Sequence, residues 1–415
     1  MTRNKNLKTT IRERMAATGE PYTEAARHLA DPLLPFARSG FDAALKQLGI
    51  PEDVFALALR YCAETNHYPA LGSAAADRLT IYLDMKHWVA LAKARLGRPE
   101  FAYDQRAYEL LRDATAANEV MVAICATTYL EMSRGHRQST DVANVIAEIG
   151  GFVTIGGRRT AVEHQLRTAL ATRCDGPVPP PLHPFGLGNP FAFDDQRRLV
   201  LRGTGGTVPD LPAGKVRDIE AVGRVIGEYM MLRSPEPEEI PELRKLGYRP
   251  EAVAQVEAQR LQREQELAAM LKDGTTDREK LSDIVNARYV FWELSDHLRT
   301  CLEPYGLDID AVFEQGKDWL NGLLLDIPNA AITITLSEKG FRNSYKKWTG
   351  NDLRDGDAMA AAIPYCDVVT TDKYVAAQLA KAPAVTRLGT LVFSRLSDLN
   401  NALPGLIADR RAARQ

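Results

Sequence analysis

The sequence predicts an α/β protein built on a parallel sheet, and three observations carry that prediction. LTIYLD at 79–84 is β-branched and aromatic and leads into the helical MKHWVALAKARLG. The apolar run VMVAICA at 120–126 gives way to TTYLEMSRGH, which opens a further helix. DVVTTD at 367–372 is followed by the helical YVAAQLAK. Strands that alternate with helices in this way bury both faces of a parallel sheet.

Taken in order, residues 1–75 read as an N-terminal helical region. KNLKTTIRERMAATGEPYTEAARHLA joins a basic amphipathic run to a second helix from about Thr23, with a break at Gly19. Arg3, Lys5, Lys8, Arg12, Arg14 and Arg27 suit either a DNA phosphate backbone or a solvated helical cap. Residues 78–155 hold the first two strands with the helix YDQRAYELLRDATAAN between them. Residues 156–325 depart from the pattern and read as a helical insertion. It begins with the Gly- and Pro-rich GPVPPPLHPFGLGNPF at 176–191, which is expected to be irregular. Two helices follow, RPEAVAQVEAQRLQREQELAAMLKDG and TDREKLSDIVNARYVFWELSDHLRTCL. The second starts with Thr276 and Glu279 at capping-box spacing and carries Leu281, Ile284, Val285, Tyr289, Phe291, Leu294 and Leu298 on one face. The α/β pattern returns over 326–400. It resumes near AAITITLSEKG, runs through a helix beginning near Asp357 and the strand DVVTTD, and ends with AVTRLG and TLVFSRLSDLNNAL as final strands and a closing helix; 401–415 is left as a basic tail.

Composition narrows the function classes. With 415 residues the chain has room for two to three domains, and 45% hydrophobic with 26% charged residues excludes wholesale disorder and a collagen-like fibre. Fifty-two Lys and Arg against 54 Asp and Glu leave a net charge of −2, so nucleic-acid binding would need a local basic patch. Cys62, Cys125, Cys174, Cys301 and Cys366 lie far apart without zinc-ligand spacing, which fits reduced thiols. The N-terminus lacks an apolar signal core and no long apolar run occurs, so the expectation is a cytoplasmic protein without a membrane partner. P-loop, G-x-G-x-x-G, G-x-S-x-G and H-E-x-x-H motifs are all missing.

Four acids stand where chemistry assembles in such a sheet. Asp84 ends the first strand, Glu131 and Asp357 open helices, and Asp372 ends a later strand. Brought together, each pair of these charges would repel by roughly 4 kcal/mol at about 4 Å and an effective dielectric of about 20, so the group needs cations. Carboxylate and water ligands favour Mg²⁺ or Mn²⁺, and such an ion activates water for attack on a phosphodiester. Each acid also has a capping reading. Asp84, Asp357 and Asp372 precede helical runs, and Glu131 follows Thr128 by three. Asp355 and Asp367 are substitutes for the later two acids, while Lys86 and Lys373 adjoin acids and offset charge without a metal.

IYLDMKHWVALA, TTYLEMSRG and DGDAMAAAIPYCDVVTTDKYV together resemble the motifs of the PIN-like ribonucleases, compact parallel α/β nucleases that include toxins of toxin-antitoxin pairs. The resemblance covers about 78–155 and 326–400. It implies a PIN-like sheet interrupted by the insertion, and a metal-dependent endoribonuclease, a toxin-type or defence nuclease, with Asp84, Glu131, Asp357 and Asp372 as catalytic metal ligands. A toxin of this kind would be held inactive by an inhibitory protein partner covering the acids, and isolation as an active homo-oligomer would count against that. Near the third motif, KGFRNSYKKWTGNDLR mixes Arg342, Lys346, Lys347 and Arg354 with Phe341, Tyr345 and Trp348, which suits single-stranded RNA or a solvated loop with inward rings. His87 either reaches the site or faces solvent, and Trp88 belongs in the core. The competing reading is a non-catalytic regulator that binds nucleic acid through its N-terminal helices.

Overall fold

Leu79–Leu83 (β1) is buried at every position, as expected of a strand covered on both faces, and it forms the centre of the sheet. The computed structural model describes residues 54, 77–134, 139–194, 213–245 and 248–413, with backbone only for 213–222. Apart from Val54, the N-terminal region 1–75 with its basic residues and Cys62 lies outside the described residues, as does the Gly-rich GTGGT at 203–207. The chain divides into two units, 1–66 with 198–230 and 67–197 with 231–415. The described part of the first is Val54 and the beginning of the helix Ala213–Arg233. The sheet lies in the second.

From β1 the chain runs through Met85–Arg95 (α1) and Ala102–Ala116 (α2) to Val120–Ala123 (β2). Ala126–Met132 (α3) and Ser139–Val145 (α4) lead to Val153–Ile155 (β3), then Arg158–Arg173 (α5) and Phe185–Leu187 (β4). The insertion supplies Pro250–Lys272 (α6), Leu281–Tyr289 (α7) and Ser295–Leu302 (α8), and then Lys317–Asp326 (α9). Pro328–Arg342 (α10) and Gly350–Ala362 (α11) precede Val368–Thr370 (β5), Lys373–Leu379 (α12), Leu391–Phe393 (β6) and Leu396–Ala412 (α13). Strand order is β2-β1-β5-β6, all parallel, with Leu79 opposite Val120 and Leu83 opposite Thr370. β3 and β4 pair antiparallel, and the Ile124 and Ile155 amides bond across to extend β2. The parallel α/β expectation holds, although helices dominate the described residues.

Several local expectations change. AAITITLSEKG is helical within α10, where buried Asn329, Ile332, Leu336 and Gly340 recur every three to four residues. Its threonines are accommodated by back-bonding: the Thr333 and Thr335 hydroxyls donate to the Asn329 and Ala331 carbonyls at 2.9 and 2.7 Å. AVTRLG is also helical, within Pro383–Leu388, leaving β6 as the last strand, and α13 continues through most of the expected basic tail. The stretch expected to be irregular contains β4 and the short helix Gly188–Ala192. Asp277, not Thr276, caps the turn before α7 by accepting from the Glu279 amide at 2.9 Å.

Between α7 and α8 residues Val290–Leu294 form a π-turn, which adds a residue to the helical repeat. Phe291 therefore leaves the apolar face and is 61% exposed, while Leu281, Val285, Tyr289, Leu294 and Leu298 stay buried as expected. The insertion shares its core with the second half of the sheet domain, because Leu166, Leu294, Leu298 and Leu323 pack in one cluster with Ile327 and Ala330 of the 327–330 entry to α10. Trp88 is fully buried, and His87 is buried too, with Nδ1 2.9 Å from Thr370 Oγ1. Burial and the nearby Lys86 charge lower the His87 pKa to about 3, so the ring is neutral, and it does not face solvent. Cys125, Cys174, Cys301 and Cys366 form no disulfide. Among the described residues no helix is long and apolar enough to cross a membrane.

Candidate active site

The chain places β2 on one side of β1 and later returns to place β5 on the other. Connections therefore diverge beyond the carboxyl ends of β1 and β5, which is where open α/β sheets form a crevice. Asp84 directly follows β1 and Asp372 lies two residues beyond β5. The Asp84 amide donates to the Thr370 carbonyl at 3.2 Å, which ties the two strand ends together. Both acids are also helix caps. Asp84 Oδ1 accepts from the Met85 amide at 2.8 Å, and Asp372 Oδ1 accepts from the Tyr374 and Val375 amides at 2.5 and 2.9 Å. Each cap uses one oxygen and leaves Oδ2 without a hydrogen bond among the described residues. The capping and site readings of these two acids are therefore compatible.

Glu131 is on α3, whose cap pairs Cys125 with Thr128: the Cys125 amide donates to Thr128 Oγ1 at 3.4 Å. Glu131 is not the acid of that box. Its Oε1 lies 3.3 Å from Arg354 Nε on α11.

On α11 the acid whose charge couples to Asp84, Glu131 and Asp372 is Asp355, and Asp357 is turned to other partners. Thr349 caps α11 with Asp352 in a capping box, so Asp357 sits in the middle of the helix and does not open it. Residues two apart on a helix point about 200° apart, so Asp355 and Asp357 cannot serve the same site. Asp357 accepts from Arg260 Nη1 and Nη2 at 2.7 and 3.0 Å, and Arg158 Nη1 is 3.5 Å away. Burial works against its ionisation, but the bonds and charge of Arg260, with Arg158, hold its pKa below the ordinary carboxylate value. Asp367, the other substitute, precedes β5 and so lies at the opposite end of the sheet, where it binds Thr80 and, at 2.6 Å, Arg410.

Asp355 has no hydrogen bond or ion pair among the described residues. Burial, reinforced by the charges of Asp84, Asp372 and Glu131, raises its pKa to about 8. Glu131 is raised to about 7, chiefly by burial and then by Asp84, with Arg354 pulling the other way. Asp84 is raised as well, mainly by burial, with Lys86 opposing and Asp372 adding. Four carboxylates thus feel one another at the end of the sheet, and burial adds to their mutual repulsion in favouring the protonated forms. Lys86 Nζ bonds the Ser394 carbonyl at 3.4 Å, and Lys373 is exposed.

In metal-free protein, Asp355→Asn is expected to raise the melting temperature. A carboxyl whose folded pKa exceeds its unfolded value favours the fold below the unfolded pKa and loses that contribution as pH rises through the folded one. The gain should therefore be small near pH 4 and grow towards pH 8, as melting curves in EDTA across that range would measure.

The expected RNA-binding cations divide. Lys346 Nζ is 3.0 Å from Asp352 and lies over the Trp348 and Tyr374 rings at 4.4 and 5.0 Å, and Arg354 is held by Glu131 and Glu257. Both are committed to acids within the fold. Arg342 and Lys347 are exposed, Arg342 with Nη2 4.0 Å from Glu338 one turn earlier on α10. Phe341 and Trp348 pack inward with ring centroids 4.7 Å apart, while Tyr345 is 93% exposed.

Among the described residues no three Asp, Glu, His or Cys side chains stand close enough to share one metal ion. The oxygen-only donor set has the chemistry of a hard divalent cation site, but its carboxylates would have to draw closer to hold one. No family model, curated protein or solved structure matches this chain.

Proposed function

We propose that the chain is a metal-dependent endoribonuclease acting at the carboxyl end of its parallel sheet. The observation that supports this reading is that Asp84, Glu131, Asp355 and Asp372, from two strand ends and two helices, act on one another at one end of the sheet, where burial and mutual repulsion raise the pKa of the first three. Asp84 and Asp372 each hold a helix with one oxygen and offer the other to the site. Arg354 keeps α3 and α11 together through Glu131, so that Glu131 and Asp355 face the same crevice. Mg²⁺ or Mn²⁺ bound by these carboxylates would supply an acidic water and charge stabilisation for the departing phosphate oxygen. Arg342 and Lys347, exposed on the segment before α11, attract the RNA backbone.

Purified full-length protein is expected to cut single-stranded RNA in Mg²⁺ or Mn²⁺ and not in EDTA, and an Asp84→Asn, Asp372→Asn double variant should be inactive in all three. Cutting that survives EDTA, or that the double variant retains, would overturn the proposal, as would wild-type protein that never cuts.

A further inference from the structure

The insertion is joined to the sheet domain along a groove between α6 and α7 on one side and α10, α11 and α12 on the other. Its basic residues are nearly all neutralised. Arg260 is bound to Asp357, Arg288 to Glu264 at 2.7 Å, and Lys346 to Asp352. Arg263 differs. It is exposed and has no carboxylate partner among the described residues, and its guanidinium carbon lies over the Trp292 ring at 5.1 Å.

Trp292 belongs to the π-turn Val290–Leu294 and is 49% exposed. A regular helix would have kept seven-residue spacing through this segment; with the extra residue in the turn Phe291 and Trp292 are both partly exposed, Phe291 stacked on Phe313 with ring centroids 5.8 Å apart. Exposing an indole forfeits its burial, and π-turns occur often at functional positions. Arg288 also lies on the Trp292 ring, at 4.4 Å, but Glu264 holds it there. Of the two cations on the indole, Arg288 is paired with Glu264 and Arg263 has no carboxylate partner among the described residues.

We propose that this groove binds single-stranded RNA, with a base stacking on Trp292 and Arg263 moving from the ring to an adjacent phosphate. Stacking platforms combined with cations bind single strands because every base has a π-face and every step a phosphate. The groove is lined by Asp352, three residues before Asp355, and by Val375, whose amide donates to Asp372. The insertion would thereby present the strand to the carboxylates. This role rests on the nuclease reading of that crevice, whereas binding at Trp292 can be measured without it.

The test uses full-length Asp84→Asn protein in EDTA and a fluorescently labelled 12-nucleotide single strand of mixed A and U, titrated by anisotropy at several salt concentrations, with the same strand in a duplex as comparison. Trp292→Ala should weaken single-strand binding by roughly 5- to 100-fold, and Trp292→Phe should restore most of it. Arg263→Glu, on the exposed face of α6, should weaken binding and flatten the salt dependence by about one phosphate contact. Single-strand affinity unchanged in both Trp292→Ala and Arg263→Glu would overturn the proposal, as would a wild-type preference for duplex or no RNA binding at all. Binding that depends on Trp292 in a protein that never cuts RNA would uphold the groove and overturn the nuclease reading alone.

Discussion

Asp355→Asn is expected to reduce metal-dependent RNA cleavage by roughly 10²- to 10³-fold, the usual cost of removing one group that stabilises charge in a transition state. Asp357→Asn, two residues along the same helix, should stay within about tenfold of wild type once both proteins are confirmed folded. The contrast follows from direction. Asp355 has no partner and feels Asp84, Asp372 and Glu131, whereas Asp357 is turned to the insertion and bound by two arginines. Single-turnover rates at saturating Mn²⁺ would measure both. A larger loss for Asp357→Asn than for Asp355→Asn would return the third catalytic position to Asp357.

Asp357→Ala is expected instead to destabilise the fold, by roughly 2–4 kcal/mol. Breaking a buried ion pair leaves the remaining charge uncompensated, and the usual cost is reduced here because the side chains of Asp357, Arg158 and Arg260 keep 22%, 31% and 33% of their exposure. The pH dependence has a definite sign. Asp357 has a lowered folded pKa, so its contribution is present above the ordinary carboxylate pKa and is lost as pH falls through the folded value. Urea denaturation should separate variant and wild type at pH 7, and the two curves should converge in acid below about pH 3. A constant difference across that range would mean that lost packing, not lost charge, sets the effect.

Much of the sheet was legible because its strands are short, apolar and followed by amphipathic helices. LTIYL, VMVA and VVT form β1, β2 and β5 where the pattern predicted them. Legibility failed where two periodicities compete. The β-branched AITIT in α10 has strand composition, yet burial at helical spacing and threonine back-bonding make it a helix. At the candidate site, Asp84 and Asp372 were readable from their places after strands. The choice between Asp355 and Asp357 turned on where α11 begins, and Thr349 with Asp352 was the capping signal that could have settled it. Trp292 and Arg263 had no comparable signal, because the π-turn that exposes the indole interrupts the very periodicity used to assign faces.

The sequence by itself determined the parallel α/β order and the acids at two strand ends, since both follow from local pattern and from the alternation of apolar strands with helices. Only the tertiary structure decided which acid on α11 meets them, that Lys346 and Arg354 are held by acids within the fold, and that the insertion shares a groove and a core with the sheet domain. The physical reason is that a charge takes its role from its partners, and here those partners lie far away in sequence, as Arg354 does from Glu131, 223 positions earlier.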